Sequence, residues 1–289
     1  MKEIRKKVRR WFAYAGIKTI LLALKTIPES IWIRSAGILS YLLKILFPKQ
    51  TKIIKENYRR VYGRRLPDGF LDKFYRNIIY GSLEVLRAEE KFPDGFEFIV
   101  DEEKLKLVDE IIKSKKKLIW VSAHLGNWEL LPFYFSSMGY KISVIARRLY
   151  DERLNQRLER FRKKMGVNVI YRDEKNTGFQ IMRAIKRDEI IGFLVDQNIK
   201  NVESVESSFL GIPSRTPSGF AKISREFSIP IIVGVNIRLK PFSFKIMISE
   251  PLLPDEKSDK QIVDEVNSIL TDFIKVQPEQ WMWIHRRWG

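Results

Sequence analysis

The 289-residue chain has two histidines, His124 and His285, and no cysteine. An imidazole titrates near ~6.5. If a histidine takes a proton from a hydroxyl near neutral pH, one of these two does it. His124 stands in KLIWVSAHLGNWE, residues 117–129, at the end of an apolar run, with Glu129 five residues on. On one continuous helix that spacing puts the two side chains on different faces. With a turn between them, His124 lies in a loop and Glu129 in the first helical turn, behind Asn127 as N-cap. The Glu129 carboxylate can then hold one ring nitrogen and leave the other free as a base. A core histidine beside a capping acid is the structural alternative, and the residues alone leave both open. Without cysteine there is no thiolate nucleophile, and no G-x-S-x-G elbow is present. No metal site is expected, because two distant histidines leave only carboxylates.

The elements that must position these groups begin near residue 96. Candidate strands at 96–100, 117–122, 142–146, 167–171, 190–195, 230–239 and 242–249 alternate with candidate helices at 102–113, 127–138, 151–165, 177–187, 217–227 and 260–276. Alternation of this kind predicts an α/β fold, a mainly parallel central sheet flanked by helices. The short link at Lys240–Pro241 predicts an antiparallel hairpin at one end of the sheet. Ligands of such sheets bind beyond the carboxyl ends of the strands. Four polar clusters fall there: His124 to Glu129, Arg147–Arg148, Asp196–Gln197–Asn198 and, after a long loop, Phe209 to Gly219. Asp196 is expected to orient substrate or Arg147, with a solvated strand end as the alternative. Gly211 and Gly219 read as turns. Near the C-terminus, His285, Arg286 and Arg287 lie among Trp281, Trp283 and Trp288. They form either a structural clamp or a cationic patch for phosphates.

The net charge of +18 is uneven, since residues 1–65 hold seventeen Lys/Arg against three Glu. The same region carries Trp11, Phe12, Ile17, Leu22, Ile31, Ile38 and Leu42 to Phe47. A nucleic-acid arm has little use for so much aliphatic surface, whereas a membrane-surface helix needs it. Lys18, Lys25, Arg34 and Lys44 interrupt every long apolar window, so a surface-lying segment is expected rather than a spanning one. Pro28 and Pro48 bound two helices read as a hairpin, and further helices are expected at 50–62 and 68–90. The composition shift near 90–96 divides a basic membrane-associating region, 1–92, from a catalytic domain, 93–289. No secretory cleavage site follows the apolar run.

SAHLGNWEL, residues 122–130, resembles the H-x4-D/E signature of the late (secondary) acyltransferases of lipid A biosynthesis, a family that includes phosphatidylinositol mannoside acyltransferases. Further motifs follow in the family's order. IARRLYD is similar to its A-R-P-L-x-N segment and matches its arginine to Arg147. GFLVDQN is similar to its strand ending in D-Q, at Asp196 and Gln197. FLGIPSRTPSG is similar to its F-F-G…T-x-x-G loop, at Phe209, Gly211, Thr216 and Gly219, and PEQWMWIHRRW covers Pro278 to Trp288. Arg148 replaces the family's proline, Asp151 and Glu152 stand for its Asn-Pro, Leu210 for its second Phe, and Ser208 where Asp is common.

The resemblance implies a glycerol-3-phosphate acyltransferase-like fold. It implies acyl transfer from an acyl carrier protein thioester to a hydroxyl of an anionic glycolipid, a lipid A precursor, with no further cofactor. His124 would be the base and Glu129 its partner. Asn127, Arg147, Asp196, Gln197, Thr216, His285 and Arg286 would serve substrate or oxyanion binding, with backbone N–H groups near Gly126–Asn127 as oxyanion donors. The expected place is the cytoplasmic face of a bacterial inner membrane, reached through the N-terminal region, with the carrier protein and membrane as partners and no nucleic acid. Other readings are another glycolipid or an aminolipid as acceptor, a thioesterase-like hydrolase, and a non-enzymatic basic membrane-binding module.

Overall fold

The computed structural model describes residues 25–114, 117–199 and 202–288. The basic run 2–10 and nearly all of the apolar stretch before Pro28 lie outside the described residues. Three helices open the described chain: α1 (Glu29–Leu46), α2 (Pro48–Tyr62) and α3 (Phe70–Lys91). Pro48 occupies the first turn of α2, where its missing N–H is no loss, and α1 and α2 meet there at 92°. Trp32, Ala36 and Ser40 recur every four residues on α1 and are its buried positions. Trp32 and Ala36 pack with Ile79 and Leu83 of α3. Helices α2 and α3 bury Ile54, Tyr58, Phe70, Phe74 and Tyr75 in the same core as the sheet. Packing therefore runs unbroken across residue 92.

The remaining elements are β1 (Glu97–Val100), α4 (Glu102–Lys113), β2 (Ile119–Ser122), α5 (Leu130–Ser137), β3 (Ile142–Ala146), α6 (Glu152–Lys164), β4 (Val167–Tyr171), α7 (Thr177–Lys186) and β5 (Ile190–Leu194). They continue as β6 (Ser204–Phe209), β7 (Ile212–Pro217), α8 (Gly219–Phe227), β8 (Ile231–Lys240), β9 (Ser243–Ile248) and α9 (Asp259–Val276), with a 3-10 turn at Pro278–Gln280. The fold is mixed α/β, with a seven-stranded sheet ordered β1-β9-β8-β2-β5-β3-β4. Every neighbouring pair in it is parallel except β8 with β9.

Two expectations need correction. The β8–β9 hairpin does not end the sheet, because β1 pairs in parallel outside β9. The half-exposed, alternating EFIV of β1 suits an edge. The long loop expected before Phe209 ends in a strand, β6, and the polar cluster that follows it holds β7, the two forming an antiparallel ribbon. Its two-residue turn, Leu210–Gly211, has positive φ at both positions, as a primed hairpin turn requires.

Strand β2 is buried along its whole length, and its residues alternate between two cores. Leu118 and Trp120 face Leu131, Phe135, Ile142 and Ile190 on one side. Ile119 and Val121 face Ile191, Phe220 and Leu270 on the other. Each core draws on its own set of helices, as a sheet covered on both faces demands.

Candidate active site

The sheet register brings His124 to Asp196. Ser122 of β2 lies opposite Leu194 of the adjacent β5, and two residues farther along each chain stand His124 and Asp196. His124 Nδ1 lies 2.7 Å from Asp196 Oδ1. The His124 backbone N–H donates to Asp196 Oδ2 at 3.0 Å, and Trp281 Nε1–H donates to the same oxygen at 2.7 Å. Asp196 is fully buried, and three donors hold its carboxylate. With Nδ1–H donating to Asp196, Nε2 is the ring nitrogen left to act as a base. Trp128 packs edge-on against the imidazole at 4.9 Å.

Electrostatics follow from this pairing. Burial pushes the His124 pKa down. The Asp196 charge and hydrogen bond, with Glu129 contributing its charge, push it up, and the outcome lies above the ordinary histidine value. Burial raises the Asp196 pKa, but His124 and the Trp281 and His124 hydrogen bonds outweigh it and hold the carboxyl below its usual range.

The expected partnership of His124 with Glu129 is corrected. Glu129 is gripped by Arg162 of α6, whose Nε–H donates to Oε2 at 3.0 Å and whose Nη2 reaches Oε1. Asp196 holds the ring instead of orienting substrate or Arg147. The turn explains why. Gly126 has φ +62, and a Cβ there would come within 1.9 Å of the Asn236 backbone oxygen. The chain therefore dips against β8 between His124 and Glu129, and the Glu129 carboxylate goes to Arg162 rather than to the ring.

The backbone donors expected for an oxyanion are also spent. Gly126 N–H donates to the Gln280 carbonyl at 3.2 Å, and Asn127 N–H to Asn236 Oδ1 at 3.2 Å. Asn127 is not the N-cap of α5, which begins at Leu130. Its side chain is buried and donates to the Gly81 carbonyl at 3.2 Å and to Glu84 Oε2 at 2.9 Å. Glu84 in turn holds Arg238 through two bonds, at 2.7 and 2.6 Å. This buried network ties α3 and β8 to the catalytic loop, and nothing in the spacing of Glu84 and Arg238 marked it.

A cavity of about 500 Å³ opens beside His124. His124, Glu129, Arg147, Arg162, Arg172 and Gln197 line its polar end. The rest is apolar, with Trp120, Phe135, Ile142 and Ile190 on one face of the sheet and Ile145, Phe193 and Phe220 around the strand ends on the other. Ala146 and Tyr171 pair at the ends of β3 and β4, which sets Arg147 beside Arg172. Burial, then the neighbouring Arg147 charge, lowers the Arg172 pKa. Arg148 turns away to Glu174 and stacks over Tyr171 at 4.1 Å. Arg147 is therefore the arginine of the pair that lines the cavity.

The remaining expected residues divide. Thr216 is buried outside the cavity and accepts from Asn267 at 2.9 Å and Arg287 Nη2 at 2.6 Å. Buried Arg287 also reaches the Arg215 carbonyl and stacks on Phe209 at 4.8 Å, and burial lowers its pKa to about 10. Trp281 and Trp283 are buried, and Met282 N–H donates to the His124 carbonyl at 3.0 Å. The C-terminal segment thus packs against the loop that carries His124. Arg286 is exposed. His285 is partly buried, with its pKa lowered first by burial; its carbonyl accepts from Asn57 at 2.8 Å. Among the described residues, no cluster of three or more His, Cys, Asp or Glu side chains is placed to hold a metal ion.

A family model described as bacterial lipid A biosynthesis acyltransferase matches residues 2–289. Part of the chain is also similar to phosphatidylinositol mannoside acyltransferase from two strains of Mycobacterium tuberculosis, at 25% identity over 105 residues. That match takes in 36% of this chain and 33% of the relative, about a third of each.

Proposed function

The chain belongs to the bacterial lipid A biosynthesis acyltransferase family, and from that premise we propose that it moves a fatty acyl group from an acyl carrier protein thioester to a hydroxyl of a lipid A precursor. The observation that carries this reading is the His124–Asp196 pair opening onto a largely apolar cavity of about 500 Å³. The apolar length suits the chain, and the base stands at its polar end.

The acceptor hydroxyl gives its proton to His124 Nε2 as its oxygen attacks the thioester carbonyl. Asp196 stabilises the imidazolium that forms. The tetrahedral intermediate collapses with loss of the thiolate, which takes the proton back from His124. No enzyme-bound acyl intermediate is needed. With the Gly126 and Asn127 N–H groups engaged, Arg147, Arg172 and Gln197 are the donors left at the cavity for the oxyanion or for substrate phosphates. Glu129, locked to Arg162, fixes the cavity wall and adds negative charge near the ring.

The basic charge suits an acidic carrier, an anionic lipid and an anionic membrane surface. Helix α1 leaves Ile31, Ile38, Tyr41, Leu42, Ile45 and Leu46 exposed, a stripe suited to lying in the interface at the cytoplasmic face of a bacterial inner membrane. Among the described residues, no single helix is long and apolar enough to cross a membrane. The partial similarity to a phosphatidylinositol mannoside acyltransferase favours one second reading, the same reaction on a mannoside glycolipid.

The test supplies purified protein with acyl carrier thioester and either lipid A precursor, a phosphatidylinositol mannoside, or no acceptor. Mass spectrometry of the lipids is expected to show an added acyl chain in the first arm, and in the second if the mannoside reading holds. Free fatty acid released at the same rate in all arms indicates a hydrolase. Vesicle binding without turnover indicates a binding module.

A further inference from the structure

The cavity beside His124 runs along the strands of the sheet, and Gly192, in the middle of β5, lines it without a side chain. Along the face of the sheet that carries α5, the lining repeats every second residue, as strand geometry requires. Trp120 of β2 lies opposite Gly192 of β5, and Gly192 opposite Val144 of β3. The row below pairs Ile142 with Ile190. From Leu194, near the catalytic pair, to Ile190 is four residues, or about 13 Å of strand.

The wall and floor of this branch are made of buried side chains. Trp120, Phe135, Ile142 and Ile190 are all buried. The Trp120 indole donates to the Gly234 carbonyl at 3.2 Å and packs on Phe135 at 4.5 Å. Its ring lies so close to Gly234 that a Cβ there would approach within 2.0 Å. Gly234 and Phe135 thus hold the Trp120 ring in the wall of the passage.

Gly192 stands halfway down. Its φ is not in the positive range, so backbone freedom does not account for a glycine there. A glycine inside a strand weakens it, and the neighbouring residues of β5 are large. A Cβ at Gly192 would touch Val144 Cγ1 at 3.3 Å, with nothing else nearer than 3.8 Å. The space a larger side chain would enter is the cavity itself. The Val144 contact is tight and is one reason for a small residue here; close approach of a ligand in the cavity is a second.

We propose that Gly192 sets the length of the acyl chain this protein accepts, by leaving open the passage between Trp120 and Val144 to a floor of Phe135, Ile142 and Ile190. The inference rests on the acyl-transfer reading for its substrate but on the cavity alone for its binding site. A side chain at Gly192 shortens the usable passage, and a smaller residue on the floor lengthens it.

The experiment measures wild type, Gly192→Ala, Gly192→Val and Ile142→Ala in two arms. The first is transfer from a mixture of saturated acyl carrier thioesters differing by successive pairs of methylenes. The second is equilibrium binding of the matching free fatty acids, by displacement of a fluorescent fatty acid. In Gly192→Val the kcat/KM ratio of the next shorter donor over the wild-type optimum is expected to rise roughly tenfold, the effect of two buried methylenes. Gly192→Ala moves the same way by less, and Ile142→Ala moves the optimum to longer chains. If Gly192→Val fails to fold, Gly192→Ala and Ile142→Ala decide. Unchanged length optima in folded variants overturn the proposal, whatever the transfer rates. Shifted binding optima with no transfer by wild type leave this site standing and overturn the transfer reading instead.

Discussion

His124 and Asp196 are 72 residues apart in the chain and share a 2.7 Å contact, and the chemistry of the site turns on that pair. With its pKa raised, His124 is the free base only above the ordinary histidine range. The acid limb of kcat/KM is therefore expected above pH ~6.5. Asp196→Asn removes the charge that raises it, so that limb should move down while turnover falls about 10²-fold or more. A limb that stays put would detach Asp196 from the base. Glu129→Gln should lower kcat less than Asp196→Asn, because Glu129 acts through Arg162 and at longer range. The reverse order, from parallel kinetics on the two variants, would restore Glu129 as the orienting group. The pair also affects stability. The raised His124 contributes stabilisation that is complete below ~6.5 and lost as pH rises through its folded value, and the depressed Asp196 contributes stabilisation present above ~3.9 and lost as pH falls through its own. Denaturant midpoints of Asp196→Asn should lack both dependences.

At the scale of elements, the catalytic loop is held from three sides. Helix α3 and strand β8 meet it through Glu84, Arg238 and Asn127, and the C-terminal segment meets it through Trp281 and Met282. Glu84 and Arg238 are almost wholly buried, at 0% and 4% side-chain exposure, so removing one strands the other. Glu84→Ala is expected to destabilise the fold by about 3–5 kcal/mol, read from urea unfolding. A loss near zero would mean that the network relaxes around the vacancy. The β6–β7 ribbon belongs to this scale too. Its Ser-, Pro- and Gly-rich sequence reads as loop, and Leu210–Gly211 lacks the Asn-Gly signal of a tight turn. It is secured from outside, with Ser207 donating to Asp264 at 2.6 Å and Leu210 N–H to Thr271 at 3.1 Å, both on α9.

For the whole molecule, charge and apolar surface coincide at the N-terminal side. On the proposed membrane reading, charge would draw the chain to an anionic surface over a distance set by salt, whereas apolar insertion would not depend on salt. Vesicle sedimentation should therefore show two components. Wild type is expected to bind anionic vesicles at low and at high ionic strength. The triple variant Ile38→Ser, Leu42→Ser, Leu46→Ser should bind at low salt and be released at high salt. Equal salt profiles for both would remove α1 from the membrane contact.

Local pattern in the sequence determined a good deal here. The alternation of short β-branched runs with amphipathic stretches located the strands of the main sheet and the helices after residue 96, though not the β6–β7 ribbon, because side-chain period is a local property. The ordered motifs located the family, His124 and its strand end. Which carboxylate meets the histidine was not a local property. Glu129 is near in sequence but its carboxylate is taken by Arg162, and Asp196 is brought up only because β5 lies beside β2 in that register. Strand order and register arise from long-range pairing and packing, and so does the depth of the cavity. The tertiary structure alone decided that Asn127 and Thr216 are braces, that Arg147 rather than Arg148 faces the cavity, and that Gly192 lies on the cavity wall between Trp120 and Val144.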